Sequence, residues 1–278
     1  MKSILKLWST YRYRFTPWLV LNLGGQAKTR TITKQEEIVQ NVNLVDNITA
    51  ILATFKPYTL LKDDVTTFNQ LHSKNQNILY RNCGFQLKKS ISTLGNQAGD
   101  GIFLHKGSVK KGQIVAMYPG TIYQSYNSIF FQSISNQYIL RCVDGCHIDG
   151  KASGLSGTIF NDIEGRDRIA TSDGLQRSAD TSWTNSNNNT TLPVNPLNCG
   201  QYVNNADKNN AANVTYCEID LSFDHFPYKL KSLLPNLNYE SIAIDGQRDL
   251  KIVVLLSTKE IQEGDELFSS YFTVVEEP

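Results

Sequence analysis

Gly200-Gln201-Tyr202-Val203-Asn204-Asn205 and, close to the C-terminal end, Gly264-Asp265-Glu266-Leu267-Phe268-Ser269-Ser270-Tyr271 are the two stretches on which the fold turns. Each has a bland reading. Asn204-Asn205 alone is a polar turn, and Tyr271 alone is a terminal core or edge aromatic. Two more segments lie upstream: Gly99-Asp100-Gly101-Ile102-Phe103, and Tyr118-Pro119-Gly120 after a Lys111-Gly112 turn. Glycines at 99 and 101 let backbone approach a ligand and adopt dihedrals closed to other residues. Dinucleotide binding needs a further glycine and a following helix, whereas here a strand pattern follows.

The texture around these segments is β-rich. Ile114-Val115-Ala116-Met117-Tyr118 reads as a strand, and Val214 to Phe223 alternates towards another. Asp144-Gly145 between Tyr138–Val143 and Cys146–Ile148 is a strong hairpin signal. Ile252-Val253-Val254-Leu255-Leu256 is a continuous apolar run, expected to be buried on both faces. Short helices are expected around 128–134 and after Pro227. No long amphipathic helix is expected after residue 85, and no β-α-β alternation supports a dinucleotide-binding sheet. Residues 150–198, rich in Gly, Ser, Asp and Asn, read as a long insertion without a core of its own, and 224–249 as a second, better-structured one.

Before residue 85 the pattern is helical. Ile38, Val42, Val45, Ile48, Leu52 and Phe55 step by three and four, with Thr33 and Glu36 at capping-box spacing and Pro57 as a stop. A weaker stripe passes through Leu61, Val65, Phe68 and His72, the histidine reading as a stripe edge rather than a ligand. The expected organisation is a basic arm and helical segment over 1–80 and a β-rich domain over 85–275.

With 278 residues, 40% of them apolar, the chain can bury a substantial core, and its net charge of +1 speaks against a strongly nucleic-acid-binding protein. Charge is concentrated N-terminally. Lys2, Lys6, Arg12, Arg14, Lys28, Arg30 and Lys34 precede the first acid, Glu36, interleaved with Trp8, Tyr11, Tyr13, Phe15 and Trp18. A transit peptide is one reading, although such peptides are richer in Ser. A signal peptide is a poor one, because Pro17 and Asn22 leave only four apolar residues between them. An arm packed on the domain with its basic groups in water is the third. Nucleic-acid contact is expected, if anywhere, through this arm. No run approaches the ~20 apolar residues of a membrane span.

Five cysteines, an odd number, favour reduced thiols and an intracellular setting, with nucleus or cytoplasm preferred over mitochondrion. The sequons at Asn47, Asn188, Asn189 and Asn213 are then expected to be silent. Cys142-x3-Cys146-His147 invites a zinc reading, but a structural site wants four ligands and no second pair follows at suitable spacing, so no metal is expected.

Taken in order, the four segments resemble the SET domain, a family that transfers methyl groups from S-adenosylmethionine to lysine. Gly99-x-Gly101-Ile102-Phe103 is similar to the glycine segment that opens that fold. Residues 200–213 are similar to R-F-[IV]-N-H-S-C-x-P-N, matched by type at Tyr202, Val203 and Asn204 and, after a longer spacer, at Asn213. Gln201 stands for Arg, Asn205 for His and Ala206 for Ser, and the Cys and Pro are missing. Asn205 can donate and accept hydrogen bonds but cannot stack or carry charge as histidine does. Residues 264–271 are similar to G-E-E-L-x-x-D-Y, with Ser270 in place of Asp. Residues 11–18, 117–123, 129–134 and 165–168 narrow the resemblance to one branch of the family, in which the Asn–Asn pair is a trait of the branch.

The resemblance implies a β-rich α+β SET fold of several small sheets, with a knot-like C-terminal crossing that brings 200–205 beside 264–271, preceded by the N-terminal helices. It implies S-adenosyl-L-methionine as cofactor, held by Gly101, Ile102, Phe103, Asn204, Asn205 and Tyr271, with Tyr271 also catalytic. The implied activity is protein-lysine methylation of a protein or peptide by a monomer. The alternative is a catalytically inactive SET module acting as a binding or adaptor domain, and a basic-arm adaptor for nucleic acid or anionic lipid is a third reading. No cysteine follows Tyr271, so the zinc-binding segment found after many SET domains is not expected here.

Overall fold

The computed structural model describes residues 43–58, 64–95, 98–134, 136–172, 174–185, 192–224, 226–240 and 249–269. The basic arm, the Thr33/Glu36 capping pair, Ile38, Val42, Leu61, Asn188, Asn189, Ser270 and Tyr271 lie outside the described residues.

Helix α1, Leu44–Thr54, starts at an Asn43 cap whose side chain accepts from the Asp46 N–H. Its buried stripe is Leu44, Ile48 and Leu52, followed by the buried Phe55. Val45, expected on that stripe, is exposed. Steps of four from Leu44 keep one face, and Val45 falls about 100° away from it.

Helix α2, Val65–Cys83, is longer than its apolar pattern suggests. Asp64 caps it through the Thr66 and Thr67 N–H groups, and Gly84 ends it in the left-handed region at φ 87°. The stripe is interrupted because two of its buried positions are amides. Asn75 accepts from Lys56 N–H and donates to the Lys56 and Val194 carbonyls. Gln76 donates to Leu87 O and accepts from Leu87 N–H. Each serves backbone that has no ladder partner there, which is how a buried amide is tolerated. His72 at the stripe edge donates from Nδ1 to Pro193 O, 2.7 Å away.

Among the described residues the strands form three small sheets and a hairpin. β1 (Phe85–Ile91) and β2 (Asp100–Val109) pair antiparallel, and β13 (Ile261–Gln262) joins the other edge of β2. The central sheet runs β3 (Ile114–Tyr118), β12 (Leu250–Ser257), β10 (Val214–Leu221), β14 (Phe268–Ser269) and β9 (Asn204–Asn205). β12 is antiparallel to both neighbours, and Ile252 to Leu256 are fully buried, as the apolar run requires. A third sheet orders β11 (Asn236–Asn238), β4 (Gly120–Tyr123), β6 (His147–Asp149) and β5 (Ile139–Arg141). Gly145 at φ 87° turns the expected β5–β6 hairpin. Gly120 sits at φ 146°, where a Cβ would stand 2.6 Å from the Asp149 carbonyl carbon. No other residue fits between β4 and β6 there. The short α3 (Phe130–Ser133) and a 3₁₀ turn at Tyr228–Leu233 occupy the two places expected for short helices, with Pro227 immediately before the second.

Residues 150–198 depart from expectation. They contain helix α4, Gly154–Arg166, the hairpin β7 (Ile169–Thr171)–β8 (Gly174–Gln176), and a second core of Ala152, Phe160, Ile163, Ala179 and Trp183 with Leu237 from β11. Phe160 meets Trp183 edge-on at 4.8 Å. Charges replace the missing apolar residues: buried Glu164 pairs with Arg168 at 2.9 Å and with buried Arg177 at 3.5 Å, and the Arg177 guanidinium lies 4.8 Å over the Tyr58 ring. A few large side chains and a paired buried carboxylate make a core from a polar composition.

His147 introduces a pH dependence. It is buried beside Arg141 in the hairpin register, Nε2 has no hydrogen-bond partner, and burial together with the neighbouring cation lowers its pKa to about 4. Above the unfolded value near ~6.5 both states are neutral and the shift contributes nothing. As pH falls from there towards 4, the unfolded chain binds a proton that the native chain refuses. Stability should therefore drop by up to about 3 kcal/mol across that window. Urea unfolding at pH 7 and pH 4.5 checks this; His147→Gln should remove about one proton from the pH slope, and an unchanged slope refutes the assignment.

Candidate active site

The turn Gly200–Tyr202 is wedged into the core. A Cβ on Gly200 would lie 2.7 Å from Met117 O and 2.9 Å from a Leu255 methyl, so the backbone itself packs on β3 and β12. Tyr202 and Val203 bury their side chains, and the Lys89 ammonium sits 4.5 Å over the Tyr202 ring. β9 then runs parallel to β14, with Asn204 opposite Phe268 and Asn205 opposite Ser269. The two motif segments, remote in sequence, are thus neighbours in one sheet.

Glu266 joins the parts. Its carboxylate, 5% exposed, accepts from Ser92 Oγ at 2.7 Å, from Thr93 N–H at 2.8 Å, from Thr93 Oγ1 at 2.6 Å and from Asn204 Nδ2 at 3.4 Å. It also explains Gly101, because a Cβ there would collide with Oε1 and stand 2.8 Å from Cδ. Asn213 clamps the same strand, donating to Glu266 O and accepting from Phe268 N–H, both at 2.8 Å. Buried and doubly bonded, Asn213 offers no amide to a glycan.

A cleft of about 290 Å³ opens where these elements meet. Leu94 and Ala98 line it from the β1–β2 loop, Asp100 from the first position of β2, Gln137 and Tyr138 from the segment just before β5, and Gln201 to Asn205 from the turn and β9. Its size is at the lower end of small-molecule sites, and it is open on one side. Of the residues expected around a cofactor, Asn204 and Asn205 line this cleft. Gly101 packs on Glu266, Ile102 is buried in the core, and Phe103 bridges to Glu266 with its side chain half-buried, so these three stand behind the lining. Their neighbour Asp100 lines it instead, ion-paired to Lys89 at 3.4 Å. The Asn204 amide is already engaged, donating to Asp100 O at 3.0 Å.

Gln201 was legible only as a departure from a motif. In the fold it is 4% exposed, lines the cleft, and neither amide atom has a partner. A buried amide lacking both bonds is costly unless something else supplies them. Together with the cleft, it fits a small polar ligand such as S-adenosylmethionine.

The cysteine cluster has a different character. Cys142 Sγ and carboxylate oxygens of Asp144 and Glu218 lie within 4.8 Å of one another. Asp144 is paired with Lys251 at 3.0 Å, and Glu218 accepts from Val143 N–H. Burial and the adjacent carboxylates push the Cys142 thiol well up, and burial with Asp144 pushes Cys146 up to about 11, which opposes the thiolate that metals bind.

No family model matches the chain. It is 36% identical to human (Homo sapiens) SET domain-containing protein 9 across 307 aligned positions, covering 99% of this chain and 98% of the relative. Against the Pongo abelii protein of the same name it is 41% identical over 236 positions, 85% of this chain and 75% of the relative. Among solved structures, a Plasmodium falciparum putative histone methyltransferase overlaps 69% of this chain and 96% of its own at 12% identity and a TM-score of 0.32, too loose to bear on function.

Proposed function

The chain belongs to the SET domain-containing protein 9 family, and from that premise we propose that it is an S-adenosyl-L-methionine-dependent methyltransferase acting on a protein lysine side chain. The observation that carries this reading is the cleft at which Asp100, Gln201, Asn204 and Asn205 converge beside the strand leading to Tyr271.

When bound, S-adenosylmethionine supplies an electrophilic methyl on a sulfonium, so in-line displacement by a neutral amine calls for alignment and desolvation rather than an acyl nucleophile. The residues of this chain supply the rest. Asp100 and Lys89 form a fixed ion pair at the cleft rim, and the Glu266 network holds Asn204 and the β1–β2 loop in register. Lysine carries a proton at neutral pH, with a free pKa near ~10.4, and an apolar, aromatic approach favours the neutral form. Tyr271, assigned by its place in the closing motif, orients the amine. Departures from the family's two motifs at Gln201, Asn205 and Ser270 favour the second reading, a SET module that binds a partner without transferring methyl groups.

Calorimetric titration of the full chain with S-adenosylhomocysteine separates the two from the start. Saturable binding is expected with Kd between about 1 µM and 1 mM, the range of enzyme ground-state affinities. Absence of heat at millimolar ligand overturns the methyltransferase reading. Binding without transfer to any lysine peptide supports the module.

A further inference from the structure

Resting on the cofactor reading of the cleft, we infer that Gln201 is a specificity-determining residue, its amide reading a ligand group that presents an acceptor and a donor side by side. The side chain emerges from a turn that cannot shift, since Gly200 is pressed on Met117 O and Leu255. Gly150 closes the opposite side, where an added Cβ would come within 3.3 Å of Gln201 Cβ. These contacts crowd the root of the side chain, and the amide itself is buried.

The polar groups nearby do not serve it. Asn204 Nδ2 is bonded to Asp100 O and Glu266. Tyr138 O accepts from Tyr118 Oη at 2.8 Å and from Gly150 N–H at 2.8 Å. Among the described residues lining the cleft, Gln201 is the amide whose Nε2 and Oε1 are both buried and unpaired. A neutral amide of this kind selects by complementarity of donor and acceptor, not by charge, and it pairs best with a group offering both. Both ends of S-adenosylhomocysteine offer that chemistry: the zwitterionic amino acid and the donor–acceptor edge of adenine.

Gln201→Met keeps length and apolar volume while deleting both hydrogen-bonding atoms. A ligand-reading role predicts two effects of opposite sign. The ligand-free protein should melt at the same temperature or higher, because an unpaired buried amide has been removed. S-adenosylhomocysteine should bind about 10- to 100-fold more weakly by calorimetry, since its polar group now meets a thioether. A lowered melting temperature with Kd within about twofold of wild type overturns the inference and makes Gln201 structural. Failure of the wild-type protein to bind S-adenosylhomocysteine overturns the cofactor reading and this inference with it, so the two failures are distinct. 5′-Methylthioadenosine, which lacks the amino acid, identifies the end being read. If it loses the same factor, Gln201 reads the nucleoside; if its affinity is unchanged while S-adenosylhomocysteine weakens, Gln201 reads the amino acid.

Discussion

Glu266→Ala is expected to destabilise the fold by about 3–5 kcal/mol and to abolish cofactor binding. The carboxylate is the shared acceptor for Ser92 Oγ, Thr93 N–H, Thr93 Oγ1 and Asn204 Nδ2. Hydrogen bonds to a charged group contribute about 1.5–3 kcal/mol each, and partial hydration of the freed donors reduces the sum. The binding loss follows because Leu94 lies beside the Ser92–Thr93 pair that Glu266 pins, and Asn204, which Glu266 also holds, is tied to the Asp100 carbonyl at the cleft. Denaturant unfolding gives the first number and calorimetry the second. A cycle with Gly101→Ala sharpens the test. In the native background that substitution forces a methyl against the fixed carboxylate and should cost about 1–3 kcal/mol, as overpacking does. In the Glu266→Ala background the space is vacant, and most of that cost should vanish. Additive costs would show that Glu266 and Gly101 are not packed as described.

Tyr271→Phe is expected to lower methyl transfer by about 10²–10³-fold, the loss usual for one preorganised polar group at a reacting centre. Its Kd for S-adenosylhomocysteine should stay within about twofold, because the substitution keeps the aromatic ring for the cofactor and removes only the hydroxyl assigned to the amine. The separation matters more than the size. Equal losses in binding and turnover would place Tyr271 in the cofactor site alone, and unchanged turnover would remove it from catalysis. The measurement is single-turnover transfer to a lysine peptide with the cofactor saturating.

Local patterns were a good guide wherever one segment supplies its own reason. Asp144-Gly145 makes a hairpin because glycine can take φ 87°, and the 252–256 run becomes a buried central strand because every position is apolar. They were a poor guide where partners come from elsewhere. α2 is hidden by Asn75 and Gln76, amides that are buried only because Lys56, Leu87 and Val194 arrive to use them. The 150–198 core was missed for the same reason: Phe160 and Trp183 are too few to bury each other without Leu237, and Glu164 is tolerable only against Arg168 and Arg177.

The two motif segments show the same division. Residue types and order across 99–103, 118–120, 200–213 and 264–271 were enough to point to the family, since glycine, asparagine and apolar spacing are properties of the chain and are readable along it. What each side chain does there was decided by the tertiary fold. Glu266 looks like one acid in a polar turn, yet its carboxylate gathers four donors from β9 and the β1–β2 region, and through it Gly101 becomes a packing glycine. Gln201 looks like a lost arginine, and only burial beside the cleft leaves its amide without a partner. Hydrogen-bond satisfaction is settled by distances between residues remote in sequence, and no local pattern carries it.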